Sequence, residues 1–474
     1  MANFPFWRIK QLLIFLLIAL AANFNYGFSS TYLNTSVDEF KIFLNSSYSR
    51  RGQVLTESNY DLIWNLFLNC WPIGSFIGAC ISPILNDRFG RKIAFLVGNF
   101  FAFLASILQC LAILWYCPEL LIASRFITSI CMAISYQSCI LFLQECSPTN
   151  LRGSFSFLSE VSYSSMTMVG SFLGQEYILG LHLFWLCFFP VPFCLLFTLT
   201  LFLLPETPKF LLISKDFEEK AMKSVEYYHG VDSDAKQVLE DIRIEANCES
   251  SDSESSTTFQ KLKDLFIEPH LRRALILSIA ALANTIGLWT MLLSSTTFLE
   301  DANVESHIAE WSSTAMSLAY VFGTITGGFV IERFGRRKLL LTFTLLNNLA
   351  LLAFIFFAKI HNIIDPLKYG CIGALIAYGY TYGTGVGPIS WFISSELVPQ
   401  KHRSIAQSVA GATDTIMVTV STLAVLPLYD VIGSYGFLIL YSIPSSISMI
   451  FLFRYLPETK GREIHDIVNE LKNK

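Results

Sequence analysis

Apolar runs of about 18–25 residues, long enough to cross a bilayer as helix, alternate along the chain with short polar loops. In the first half they fall near 11–31, 61–85, 93–115, 120–143, 154–179 and 182–204. In the second half they fall near 273–298, 311–331, 338–358, 370–394, 405–428 and 434–453. The pattern predicts an all-α membrane protein of twelve transmembrane helices in two pseudo-symmetric six-helix bundles, 1–205 and 271–456. A polar linker at 206–270 separates them, and 457–474 forms a tail. Within the linker, Phe217 to Tyr228 and Ala235 to Ala246 have the spacing of short amphipathic helices. The acidic, serine-rich run 250–258 has the composition of a disordered, phosphorylatable linker. The first run, with Arg8, Lys10 and Ala19-Leu20-Ala21, also suits a cleavable signal peptide, but its removal would leave eleven helices and break the symmetry.

The polar punctuation repeats as well. Asp87-Arg88-Phe89-Gly90-Arg91-Lys92 returns 245 positions later as Glu332-Arg333-Phe334-Gly335-Arg336-Arg337. Glu145…Arg152-Gly153 is answered by Glu396…Arg403 and Pro205-Glu206-Thr207 by Pro457-Glu458-Thr459, at offsets of 251 and 252. Ordered echoes at nearly one offset mean an internal duplication. Such charged hexapeptides do not lie in hydrocarbon, so each copy is a tight loop at a membrane surface.

Composition agrees with this picture. The chain is 53% hydrophobic and 15% charged, against about 25% charged residues in soluble domains. Its 41 Phe and 19 Tyr suit lipid contact and interfacial belts. A net charge of −4 leaves no basic footprint for nucleic acid. The eleven Cys are dispersed, mostly inside apolar runs, without a CxxC, so they read as small apolar residues. With the N-terminus cytoplasmic, 27 of the 33 Lys and Arg fall on the cytoplasmic side, leaving Lys41, Arg50, Arg51, Arg125, Lys359 and Lys368 at outer loops or helix ends. Both termini are then cytoplasmic. The two sequons, at Asn34 and Asn45, share the first outer loop and are candidate glycosylation sites.

No motif for covalent chemistry is present: there is no GxxxxGK[ST], no HExxH, and no GxSxG after a strand pattern. The chain reads as no enzyme, with no cofactor, no metal and no obligate protein partner. Solute movement would be passive or ion-coupled. Repeated acids and bases at the inner helix ends are expected to gate it by pairing across the bundles: Asp87, Glu145, Glu206, Glu332, Glu396 and Glu458 against Arg88, Arg91, Arg152, Arg333, Arg336 and Arg403. Partly exposed pairs contribute roughly 0.2–1 kcal/mol each, and a 100:1 bias between two states needs roughly 2.7 kcal/mol. The alternative is that these charges only anchor loops among headgroups.

Taken together, Asp87–Lys92, Glu332–Arg337, 145–153, Pro205–Leu212, Gly387-Pro-Ile-Ser-Trp-Phe392 and Pro457–Gly461 resemble the sugar-porter branch of the major facilitator superfamily, especially animal facilitative glucose transporters. The resemblance implies a central cavity, alternating access by rocking of two bundles, and a hexose-like polyol as solute in a plasma membrane. It also exposes departures. Where the family's seventh helix is rich in glutamine and ends Ser-Gly-Ile-Asn, this chain has Ala283-Asn284-Thr285-Ile286-Gly287-Leu288-Trp289. Tyr320 replaces an asparagine and Gly383 a glutamate, while Trp391 is kept. Asn284 retains a donor and an acceptor for a hydroxyl, Tyr320 stands at a cavity position, and Trp391 offers a face for a sugar ring or packs beside a flexible Gly-Pro segment.

Two family amides become acids, Glu160 and Asp414. Counted from Arg152 and Arg403, they lie roughly 12 and 16 Å into their helices, near the middle of a 30 Å core. Three readings of the pair stand: acceptors of sugar hydroxyls, a site for a proton or cationic solute, or satisfied structural acids. The first helix carries Asn23, Asn25 and Gly27 but no acid, where proton-linked sugar porters have an aspartate. Facilitative hexose transport is the reading adopted. A proton-coupled or cation-selective carrier, and a sensor that keeps the fold without turnover, are the alternatives.

Overall fold

In the computed structural model the duplicated pattern becomes two sets of six membrane-crossing helical segments. The structure describes residues 6–148, 151–230, 235–249, 258–360, 365–462 and 464–473. The first set is α1 (Phe6–Thr31), α2 (Glu57–Phe89), α3 (Arg91–Leu114), α4 (Pro118–Cys146), α5 (Arg152–Leu173) and α6 (Leu183–Phe188 continuing as Pro190–Leu203). The second is α7 (Pro269–Leu282 and Ile286–Asp301), α8 (Ser306–Phe334), α9 (Arg336–Ile360), α10 (Tyr369–Thr381, a wide turn Tyr382–Val386, then Gly387–Glu396), α11 (Gln400–Ile432) and α12 (Tyr435–Phe437, a wide turn Leu438–Ser442, then Ile443–Tyr455). No strand occurs among the described residues.

Ten of these segments are long and apolar enough to cross a membrane on those grounds alone. The other two are α5 and α10, and each has a physical reason. α5 is serine-rich and buried along much of its length, so it needs little hydrophobicity toward lipid. α10 is rich in Gly, Tyr, Thr and Ser, which lowers its apolarity, and its five-residue turn Tyr382–Val386 carries Gly383 and Gly385. At this break the backbones come close: a Cβ on Gly383 would lie 2.5 Å from the Tyr320 carbonyl of α8. Small residues allow such approach between membrane helices.

The repeated charged loops are one-residue turns. α2 ends at Phe89 and α3 begins at Arg91, with Gly90 between them at φ +100°. α8 and α9 are joined in the same way by Gly335 at φ +87°. Only glycine adopts this backbone readily. The missing side chain also leaves room for an acid, since a Cβ on Gly335 would meet Glu458 Oε2 at 2.6 Å.

The amphipathic stretches of the linker form helices Glu218–His229 and Ala235–Glu249. Ala221, Val225, Leu239 and Ile242 pack with Leu212 into a small cluster of their own. Three further helices escape the hydrophobic count. Val37–Arg50 follows α1, Thr258–Ile267 precedes α7, and Ile464–Asn473 docks by Ile467, Val468 and Leu471 after α12. Residues 250–257, which carry the acidic serine run, lie outside the described residues, as do 149 and 150 of the 145–153 motif.

Candidate functional site

Between the bundles lies a cavity of about 400 Å³, within the roughly 300–1,000 Å³ typical of small-molecule pockets. Tyr26, Trp71 and Arg125 line it from the first bundle, and Trp289, Trp391 and Asp414 from the second. Its mouth follows from how α2 and α11 run. They meet near the charged loops, where Ser408 Oγ donates to the Ala79 carbonyl at 2.6 Å and Ser404 Oγ to Asp87 Oδ1 at 2.7 Å. Toward the other end the cavity is lined by Asn65 and Asn69 of α2 and by Thr422, Leu423 and Pro427 of α11, and the polar Asn65 there is exposed. The cavity is therefore shut at the charged face and open at the opposite one.

Trp391 and Asp414 are brought together on this cavity. Thr285 Oγ1 donates to Asp414 Oδ1 at 3.1 Å, from the break in α7. Glu160 sits in an adjoining crevice with Tyr26, Tyr136, Tyr163, Trp289, Tyr382 and Trp391. The hydroxyl of the fully buried Tyr320 donates to Glu160 Oε1. Tyr320 thus holds Glu160 and is not among the residues that line the main cavity. The aromatic wall is continuous. Tyr136 meets Trp391 edge to face at 5.2 Å, and Tyr26 stacks on Trp71 at 5.9 Å.

Asn284 departs from expectation. It does not line the cavity but turns toward α12, where Nδ2 donates to Ser448 Oγ at 3.1 Å and Oδ1 accepts from Ser445 Oγ at 2.7 Å. Nδ2 also reaches the carbonyls of Ala280 and Ala281 at 3.0 and 3.1 Å. Those carbonyls belong to the last turn of the first half of α7, which needs such donors where the helix breaks. Asn284→Ala should therefore lower thermal stability by about 1–3 kcal/mol, with little change in apparent solute affinity. Unfolding in detergent and concentration-dependent uptake measure the two effects separately.

Arg125 is the site residue that helix-end placement missed. It is 1% exposed and held inside the cavity wall rather than at an outer helix end. Nε donates to the Phe67 carbonyl at 3.2 Å and Nη1 to the Ser29 carbonyl at 3.3 Å, with its guanidinium over the Phe67 and Trp71 rings. The available signal was its position seven residues inside α4, about 10 Å from the helix start.

At the charged face the duplication is chemical as well as topological. In the first bundle Arg91 Nε donates to Glu145 Oε1 at 2.9 Å, and Thr207 Oγ1 donates to Glu145 Oε2 at 2.7 Å. In the second, Arg336 Nη2 lies 3.6 Å from Glu396 Oε1 and 3.0 Å separates Arg336 Nη1 from Glu332 Oε2, while Thr459 Oγ1 donates to Glu396 Oε2 at 2.6 Å. Glu206 accepts from the Lys92 amide at 3.0 Å, and Glu458 from the amides of Arg336 and Arg337 at 2.8 and 3.2 Å. Glu206 and Glu458 thus occupy the positive N-termini of α3 and α9. Burial pushes the Glu206 carboxyl up to about 7, against the pull of the Thr207 and Lys92 amides.

Arg91 and Arg336 accordingly pair inside their own bundles, a correction to the expected pairing across them. Hydrogen bonds make the crossing instead, some onto these same acids and others onto backbone carbonyls. Gln400 Nε2 donates to Glu145 Oε1 at 2.7 Å, and the Ser154 amide to Glu332 Oε1 at 3.2 Å. Arg403 is buried and donates to Gln400 Oε1, which orients that amide. Lys261 of the linker adds a 2.7 Å pair with Asp87. Arg152 lines a crevice with Arg336, Glu396 and Thr459. Arg88 and Arg333 lie exposed at matching positions, and Arg88 rests on the Phe89 ring.

Of the two sequon asparagines, Asn45 is exposed on the helix Val37–Arg50. Asn34 is half-buried, and its Oδ1 accepts from Thr296 Oγ1 of α7 at 3.0 Å.

Comparison with known proteins agrees with this architecture. A family model described as "Sugar (and other) transporter" matches residues 12–471. The chain is similar to solute carrier family 2, facilitated glucose transporter member 7 of Homo sapiens, at 29% identity over 468 residues, covering 96% of this chain and 89% of the relative. It is similar to member 5 of Rattus norvegicus at 29% over 458 residues, covering 95% and 89%. Among solved structures, a proton:xylose symporter of the major facilitator superfamily bound to 6-bromo-6-deoxy-D-glucose superimposes with a TM-score of 0.81 at 15% identity, covering 98% of this chain and 99% of the other. That likeness shows the fold, and the family match extends over nearly the whole chain; the protein belongs to the sugar (and other) transporter family.

Proposed function

We propose that the protein moves a hexose or similar small polyol across the membrane by alternating access, as a facilitative carrier without a cofactor. One observation carries the reading: a single cavity walled by both bundles is open at one end and shut at the other by ties between those same bundles. Trp391 and Asp414 contact the solute, and the charged face is the gate. Five hydrogen bonds across that face, one each through Gln400, Ser404 and Ser408 and two through Ser154, contribute on the order of 2.5–7.5 kcal/mol at roughly 0.5–1.5 kcal/mol each. A hundredfold preference for the shut state needs about 2.7 kcal/mol, so the gate holds and still opens. The intrabundle sets around Glu145 and Glu396 keep each loop rigid, so that the halves move as bodies.

The excess of Lys and Arg on the gate side supports its assignment to the cytoplasm, with both termini there and a plasma-membrane location. The open mouth then faces outward, and Asn45 is the sequon presented for glycosylation. Purified protein in lipid vesicles should equilibrate labelled hexose at the same rate with and without a pH gradient. Accumulation above equilibrium, driven by inward protons, would replace this reading with a coupled carrier using Glu160 and Asp414. Ligand-induced thermal stabilisation without any flux would make the protein a sensor.

A further inference from the structure

We propose that the preferred solute bears a protonated amine, an amino-sugar-like polyol recognised by Asp414 against aromatic walls; this deepens the transport reading and rests on it. The two mid-depth acids each have one side-chain donor among the described residues, and they differ in place. Glu160 takes the Tyr320 hydroxyl in a side crevice. Asp414 lines the main cavity, is 2% exposed, and has one protein donor among the described residues, Thr285 Oγ1 at 3.1 Å on Oδ1. A carboxylate withdrawn from water stays ionised only beside a cation or several donors. No Lys or Arg pairs with it among the described residues.

Arg125 lines the same cavity but is committed elsewhere, to the carbonyls of Phe67 and Ser29 and the rings of Phe67 and Trp71. The remaining rings point to the same chemistry. Tyr26 lies 6.1 Å from Trp289, and Trp391 shares the cavity with both. Aromatic faces attract ammonium groups, more strongly once water is excluded. An ammonium brings three donors and the missing charge to Asp414, while its sugar ring lies on the indoles. A neutral hexose brings hydroxyl donors only.

The test is competition for uptake by the full chain in lipid vesicles, with 2-amino-2-deoxyglucose in its protonated form, glucose, N-acetylglucosamine and glucuronate. The amino sugar is expected to compete at least about tenfold better than glucose, with N-acetylglucosamine falling back to glucose or below. In Asp414→Asn the amine-to-glucose ratio should drop to about one, read as a ratio whatever the absolute flux. If that variant does not fold, the wild-type ratio decides alone. A wild-type ratio of one or less, with glucose still carried, would overturn the amine proposal and leave the transport reading standing. Preference for glucuronate would also overturn it and give the recognising charge to Arg125. Uptake of none of the four would overturn the transport reading and this proposal with it.

Discussion

Replacing Arg91 with alanine is expected to lower folded-state stability by about 3–5 kcal/mol, because it leaves a buried carboxylate without its cation. Glu145 is 3% exposed and takes both the Nε and Nη2 nitrogens of Arg91 at 2.9 Å. Thr207 and Gln400 would remain as neutral donors, and the Gln400 tie across the bundles would lose its fixed acceptor. The same substitution at the repeat position, Arg336→Ala, should cost less. Its contact with Glu396 is longer, at 3.6 Å, and its other partner, Glu332, has a side chain 24% exposed. Thermal unfolding of both variants in one detergent measures the difference. An Arg336 variant as unstable as the Arg91 variant would contradict the ranking and the buried-charge argument behind it.

Trp391→Ala should weaken apparent solute affinity by roughly 30-fold, on the order of 2 kcal/mol for truncating an aromatic anchor. The indole lines both the main cavity and the side crevice, and the Tyr136 ring braces it edge-on at 5.2 Å. Trp391→Phe keeps an apolar face and should recover most of the loss. Competition curves for uptake give the affinities. Unchanged affinity in the alanine variant, with reduced thermal stability, would make Trp391 a packing residue beside the α10 break.

Much of the architecture was legible because membranes impose simple arithmetic. A charged hexapeptide between apolar runs has one place to go, so the loops at Gly90 and Gly335 could be assigned from residue type alone. Depth was legible too. Counting 1.5 Å per residue put Asp414 at mid-membrane, and it does line the cavity. Rotation about a helix axis was not legible where a helix breaks. α7 is interrupted between Leu282 and Ile286, so the phase of its first half gives no guide to Asn284, which turns to cap its own carbonyls and to meet α12. Arg125 was misplaced because charge near a helix end suggests a loop, although carbonyls and rings satisfy it inside.

By itself the sequence determined the duplication, the hydrophobic spans and the chemical kinds present at the charged face, since these follow from local composition and spacing. Only the folded arrangement of the helices decided which acid lines the main cavity and which the side crevice. It also decided that Arg91 and Arg336 bind within a bundle while Gln400, Ser404, Ser408 and Ser154 bind across. Those choices depend on which helix faces which, and at what angle. Hydrogen bonds form only over about 3 Å, a precision that spacing along one chain does not supply.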